Sequence, residues 1–391
     1  MPYQPFLSHK REEAGDLAGF RDELCLRGAG GWQDQHELRV GQRWQAAFKR
    51  AIGTETGGFI WYGTRATFES WTIRRIELPA ALRRRRRVGD AYPVVPLFVD
   101  VSPGQDEAAI KKAFGRRRGG QLLELNGVVR EADENLADFH KRAARAYVRD
   151  LVRGHEGPVL RVAVTGNREP AGEQDLSLDW RRLLDAEGRV VDSTVIPTLV
   201  ETVADIRDAA HSMSGLPHFV VEPYVRLPLA ALIGWEWNRV RPVRLDVVQP
   251  SARGPLLVTH DVPCADIAAE PVRAAMGGAG PAVLAVSIGK DLGDSVQRYA
   301  EAQDACEAVH LHVPTDGRQD RALAAEDIAG LAEWTVSELA RLNATGVEKH
   351  LLLLGPGSLA VRIGAAANGT GKTFVPFWDG AAGYTGGIVI G

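Results

Sequence analysis

The chain reads as an α/β protein in two parts: an open parallel sheet over residues 1–153 and, over 157–391, two related α/β halves. Three observations carry this. Short apolar runs alternate with helical periodicity through the first 150 residues or so, the pattern of a sheet with crossover helices. The stretch HEGP at 155–158 interrupts the pattern. Beyond it the strand–helix order restarts twice, near Val159 and near Pro281, and each restart offers strand ends to a shared crevice.

In order, Tyr3 to Ser8 is a short strand ending in the polar cluster Ser8-His9-Lys10-Arg11. Residues 12–27 form a helix with Ala14, Leu17, Ala18, Leu24 and Cys25 on one face, and Gly28 is a plausible stop. Residues 28–41 are loop-like, and Trp44, Phe48 and Ile52 mark a second helix at i, i+4, i+8. Phe59-Ile60-Trp61-Tyr62 is a buried strand closed by Gly63 and Thr64. Trp71, Ile73, Ile76, Leu78, Ala80 and Ala81 then mark a mostly helical segment, with Glu77 among these apolar positions. Val94–Val99 reads as a strand buried on both faces. Helices are expected at 106–114 and 134–152, around a short strand near Gln121–Leu125. The later strands fall at 159–164, 219–222, 243–248, 283–288, 309–313, 350–354, 374–377 and 387–390, with helices at 195–211, 292–306 and 327–342.

At 391 residues the chain exceeds one ordinary core, so two or three domains are expected. A formal net charge of -3 supplies no overall attraction to nucleic acid or to an anionic membrane. Cys25, Cys264 and Cys306 are widely spaced and form no CxxC pair, which argues against a disulfide framework or a structural zinc site. MPYQPFLSHKREE has no run resembling a signal peptide, and no apolar span reaches about 18 residues. A cytoplasmic location, no membrane partner, no polymeric nucleic acid, no metal and no cofactor are the expectations. Asn368-Gly-Thr-Gly-Lys372-Thr373 imitates a phosphate loop, but Ala366 stands where the first glycine is required and a strand-like run follows. HExxH, GxSxG and GxGxxG are absent from supporting contexts, which disfavours a zinc protease, an α/β-hydrolase and a Rossmann dehydrogenase. The arginine run 83–87 has no interleaved aromatics, so it reads as a solvated helix face.

Residues 1–153 resemble a TIR domain through FLSHKRE at 6–12, GGWQDQHELRVGQRW at 30–44 and SWTIRRIELPAAL at 70–82. The resemblance implies a flavodoxin-like parallel sheet. In the enzymatic branch of that family a glutamate after a Ser-Trp element cleaves the nicotinamide–ribose bond of NAD+. Glu77 is the best match, with Glu69 as fallback. Trp71 to Glu77 is longer than the commoner spacing, and Pro79 is unusual, so the continuous helix is expected to begin near Leu78, with Glu77 at its entry. Taken alone, Glu77 reads as a solvated residue paired with Arg74, Arg75 or the arginine run. Ser8, Lys10 and Arg11 are either NAD+ contacts at a strand end or a polar loop start. Phe6 and Trp44 are core residues or pocket lining. Asp34 lies in the loop that the family uses for TIR–TIR contacts, and could equally be a turn residue.

Residues 157–391 are similar to a SAVED domain with two CARF-like halves, through VAVTGNR at 162–168, VLAVSIGKD at 283–291 and LLLLGPGSLAVRIG at 351–364. Each is a strand running into a Gly-containing turn and a helix, which presents backbone N–H groups to phosphate. Candidate contacts to a cyclic oligonucleotide are Asn167, Arg168, Arg226, Trp237, Ser287, Lys290, Gly357, Ser358 and Arg362, with each tryptophan more simply read as core. The combination resembles the TIR–SAVED effectors of bacterial CBASS anti-phage immunity. It implies an NAD+ glycohydrolase activated when a cyclic oligoadenylate, a tri-adenylate being the commonest, drives self-assembly into an oligomer or filament. The alternative is a non-enzymatic TIR scaffold assembled by a nucleotide ligand.

Overall fold

The computed structural model describes residues 4–30, 44–155, 157–166, 174–190, 192–211, 216–238, 243–249, 255–314, 323–380 and 383–391. The chain divides into two compact units: Met1–Val162 with Gly172–Asp179 and Asp205–Gly215, and Ala163–Ala171 with Trp180–Ala204 and Leu216–Gly391. Both are mixed α/β with parallel-sheet regions.

In the first unit, β1 (Pro5–Ser8), β2 (Gly58–Gly63), β3 (Val94–Phe98) and β4 (Val128–Val129) lie side by side in that order, all parallel. Every residue of β1 to β3 is buried, as near-continuous apolar runs require when helices cover both faces. The helices are α1 (Ala14–Leu26), α2 (Trp44–Arg50), α3 (Leu78–Val88), α4 (Glu107–Phe114), α5 (Arg116–Glu124) and α6 (Leu136–Arg153). One aromatic layer fixes the β1 side of the sheet. Phe6 stacks on Phe59 at 5.8 Å, and Trp61 meets Phe114 and Phe98 edge-on at 5.3 and 5.8 Å. The strand expected at Gln121–Leu125 is the end of α5, and the strand follows at Val128–Val129. Gly119 and Leu122 are buried three residues apart, a helical spacing that outweighs the local alternation of QLLEL.

Behind β2, the Tyr62 hydroxyl and His140 Nε2 of α6 lie 3.0 Å apart, both buried. Burial lowers the His140 imidazole from its ordinary 6.5 to about 4. The unfolded chain therefore binds this proton more readily than the folded one. Stability is full above about pH 6.5 and falls as pH drops toward about 4. Thermal melts across that range should show a declining Tm, and His140→Gln, which keeps a partner for Tyr62 and does not titrate, should flatten the decline.

From Leu160 onward the chain carries an internal repeat. One sheet has the order β6 (Leu176–Asp179), β5 (Leu160–Thr165), β7 (His218–Tyr224), β8 (Arg244–Gln249), β9 (Leu256–Val258). The other has the order β10 (Val272–Ala275), β12 (Glu307–Val313), β11 (Ala282–Ile288), β13 (Lys349–Leu354), β14 (Thr373–Trp378), β15 (Tyr384–Ile390). The run β5-β7-β8-β9 thus matches β11-β13-β14-β15, each ending in a parallel pair followed by an antiparallel edge. Helices α7 (Ile196–Ala210) and α8 (Leu227–Asn238) in one half answer α10 (Ala325–Asn343) and α11 (Gly357–Ala366) in the other, and α9 (Gly293–Ala302) is extra to the second. Helix α8 was not expected from sequence. LPLAALIGWEWN is apolar nearly all round, so it carries no amphipathic signal, and in the structure it is buried nearly all round.

The two halves meet where α8 crosses α11. A Cβ on Gly234 would lie 2.0 Å from the Val361 carbonyl oxygen and 2.9 Å from the Ala365 nitrogen. A Cβ on Gly364 would lie 2.0 Å from the Ala231 oxygen and 2.9 Å from the Trp235 nitrogen. The partners match at one offset of 130 residues (364 from 234, 361 from 231, 365 from 235), so the crossing sits on a local two-fold axis. The sequences that build it are LAALIG at 229–234 and LAVRIG at 359–364. No side chain fits between backbones this close. Gly364→Ala should therefore destabilise the chain by about 2 kcal/mol or more in urea unfolding. Gly120→Ala in α5, where a Cβ meets nothing within 4 Å, should be neutral or mildly stabilising.

Candidate functional site

Glu77 is the first unit's candidate acid. It closes a π turn, Ile73–Glu77, whose register is set by the Leu78 N–H bonding to the Ile73 carbonyl. Pro79, two residues on, has no N–H to give an ordinary helix, and the wider turn accommodates it at the start of α3. The extra residue in the turn also helps account for the long Trp71–Glu77 spacing. The side chain is buried: Glu77 is 5% exposed. Ser8, the last residue of β1 and itself buried, donates its hydroxyl to Glu77 Oε2 at 2.6 Å. The surface reading of Glu77 is thereby corrected. Arg74 instead donates to the Ala113 carbonyl at 2.6 Å, and Glu69, the fallback, is exposed at the end of the turn Arg65–Glu69.

Around this pair the other expected contacts separate. Phe6 lies in the core, stacked on Phe59 and edge-on to Phe48 at 5.6 Å. Trp44 extends that row outward, 5.6 Å from Phe48 and 40% exposed. Lys10 pairs with Glu12 at 3.1 Å, and Arg11 is exposed. Asp34 lies outside the described residues. In the arginine run, Arg84 donates to the Ile52 carbonyl at 2.6 Å and lies over Tyr92, Arg85 pairs with Asp90, and Arg83, Arg86 and Arg87 are exposed.

In the second unit the strand ends carry a different chemistry. Ser287, near the end of β11, is fully buried, and its hydroxyl lies 2.8 Å from His310 Nε2 and 3.1 Å from His312 Nδ1. The two histidines alternate along β12, so both face Ser287, and His310 Nδ1 lies 3.9 Å from Asp291. Burial lowers the His310 imidazole. The arrangement has the order of a serine–histidine–aspartate triad, but the Ser287 hydroxyl is closed to solvent and the Asp291 contact is no hydrogen bond. It suits an anchored hydrogen-bond relay better than a nucleophile. The motif HLH at 310–312 is a legible period-2 signal that the sequence reading passed over. Lys290, nearby in sequence, stands over the Trp378 ring at 5.7 Å.

Gly357 begins α11 against Pro223 of β7, and the Ser358 N–H donates to the Gln249 side chain of β8 at 3.2 Å. The Ser358 hydroxyl is buried and finds no hydrogen-bond partner among the described residues. Two candidates are structural instead. Trp237 is fully buried, stacked on Phe219 at 4.9 Å, with its indole N–H donated to the Val203 carbonyl. Arg362 binds the Thr259 and His260 carbonyls at 3.3 and 3.1 Å, and burial lowers its guanidinium. Arg226 donates to the Glu187 carbonyl at 2.7 Å. Asn167 and Arg168 lie outside the described residues. Among those described, no three His, Cys, Asp or Glu gather to hold a metal ion, and no helix is long and apolar enough to cross a membrane.

No family model matches the chain, and no curated protein is significantly similar to it. Among solved structures, the chain is similar to the Acinetobacter baumannii Cap4 SAVED/CARF-domain containing receptor with the cyclic trinucleotide 2'3'3'-cAAA. The TM-score is 0.47 at 12% identity, over 90% of this chain and 85% of that one. The same receptor with 3'3'3'-cAAA gives 0.47 at 13% identity, over 90% and 85%. The Moraxella osloensis Cap4 receptor gives 0.42 at 12%, over 90% and 86%.

The geometry separates holding from binding. Arg362→Ala should lower Tm by several degrees, because two carbonyls lose their donor. Lys290→Ala, at an accessible position, should leave Tm within about one degree.

Proposed function

We propose that the chain is an NAD+ glycohydrolase whose activity is switched on by a cyclic oligoadenylate, with Glu77 as the residue that acts on the substrate. The observation that carries this reading is the carboxylate of Glu77, buried beside the end of a parallel strand, where open α/β sheets bind their ligands. The likeness of FLSHKRE and SWTIRRIELPAAL to the TIR pattern supports the same residue.

The chemistry fits one carboxylate. Nicotinamide leaves as a neutral base with the electron pair of its bond to ribose, so no acid is needed to protonate it. Positive charge grows on the sugar, and a fixed carboxylate in an apolar wall stabilises that charge more than water would. Water then attacks the anomeric carbon, its proton passing to solvent, and ADP-ribose is released. Trp44, partly exposed at the outer end of the Phe6–Phe48 row, offers a ring face to a base.

In the second unit the messenger occupies the crevice at the strand ends. Lys290, exposed just beyond β11, supplies a cation to phosphate. Ligand binding favours self-assembly, and assembly brings first units together in an active array.

NAD+ consumption by purified protein, with and without cyclic di-, tri- and tetra-adenylates, tests this. Turnover is expected with one ligand of the panel and little without it. Glu77→Gln should reduce turnover at least a hundredfold while leaving messenger binding intact. Equal NAD+ loss in wild type and Glu77→Gln would remove the enzyme reading and leave the nucleotide-assembled scaffold.

A further inference from the structure

Ser8 stands at the end of β1, where a substrate contact was expected, yet its hydroxyl is directed at protein. It is fully buried, and its hydrogen goes to Glu77 Oε2 at 2.6 Å, across 69 residues of sequence. Register explains why this position and no neighbour does so. Ser8 pairs with Trp61 of β2, and Pro5, Phe6 and Leu7 before it are buried apolar residues. Ser8 is thus the first polar side chain on β1 to reach the π turn that carries Glu77. The turn itself is held by backbone, through the Leu78 N–H to the Ile73 carbonyl. Within such a turn the carboxylate keeps three torsions of its own. A short hydrogen bond from a strand residue, charge-assisted and shielded from water, removes that freedom.

We propose that Ser8 is a positioning residue, which holds the Glu77 carboxylate in the single orientation that faces the scissile bond and does not itself touch NAD+. This rests on the reading of Glu77 as the acting group. Ser8 fixes the carboxylate at Oε2 from the end of β1. A serine serves here because its hydroxyl donates without adding a charge that would compete with the sugar cation for the carboxylate. A lysine in the same place would neutralise it.

Ser8→Ala, Ser8→Thr and wild type should be compared in full-length protein at a saturating activator. Ser8→Ala should lower kcat about tenfold to a hundredfold with KM for NAD+ within about twofold, since one charge-assisted bond is lost and no substrate contact is. Ser8→Thr, which keeps the hydroxyl, should recover most of kcat. A rise in KM at unchanged kcat would make Ser8 a substrate contact and overturn the proposal. A second readout needs no turnover. In protein labelled with 13C at glutamate carboxyls, the Glu77 resonance, assigned by its absence in Glu77→Gln, should shift in Ser8→Ala and not in Ser8→Thr. An unmoved resonance overturns the positioning role even if the enzyme is active. A moved resonance in a chain that consumes no NAD+ with any activator retains the Ser8–Glu77 coupling but removes the catalytic reading on which the proposal rests.

Discussion

Two backbones that touch at Gly234 and Gly364 set the geometry of the whole second unit. Helices ordinarily pack with axes 8–10 Å apart because side chains stand between them. Here the carbonyls of Ala231 and Val361 occupy the space a methyl group would need, so α8 and α11 lock at one crossing and one register. Everything at the strand ends inherits that register. Gly357 rests on Pro223, Ser358 reaches Gln249, and Arg362 reaches the carbonyls beyond β9 because α11 has been seated by the crossing. The placement of the two related halves is defined only as well as their contact, and this contact has no side-chain freedom in it.

The first unit solves a different problem. A carboxylate as buried as that of Glu77 carries a desolvation cost of several kcal/mol unless hydrogen bonds offset it. Ser8 supplies one at 2.6 Å. The π turn allows Pro79 to follow without breaking the run from Ile73 to Val88, so the acid is carried on continuous helical backbone rather than on a loop. Departure from ideal α-helix and burial of a charge coincide at one residue. Proteins tolerate both where a site requires them.

Much of this was legible in sequence, for identifiable reasons. Long apolar runs such as Phe59–Tyr62 and Val283–Ile288 became strands because only a doubly covered sheet hides such runs. Amphipathic helices such as α6 and α10 showed their stripes. Helix α8 did not, since a helix buried on all sides has no polar face to mark its period. Residues 121–125 misled through local alternation, while the burial that decides the matter, at Gly119 and Leu122, is tertiary. Glu77 was singled out from its position in a pattern, but that it is buried, and that Ser8 is bonded to it, depend on β1 and the turn before α3 being brought together across 69 residues. His310 and His312 were visible as an alternating pair and gain meaning only from Ser287 on the adjacent strand. Trp237 and Arg362, chosen for chemistry, turned out to be engaged by the fold.

The two-fold relation between the halves is imperfect in an informative way. Opposite Ser358 at the same offset stands Pro228, and opposite Arg362 stands Leu232. One helix therefore begins with a backbone donor at that position and its counterpart with none. Two identical subunits could not do this, because any change on one side of a dyad is forced on the other. With both halves joined in one polypeptide, each side is free to drift separately. The crossing glycines are alike while the residues beside them differ, so the two halves can carry different donors without loss of the joint that holds them together.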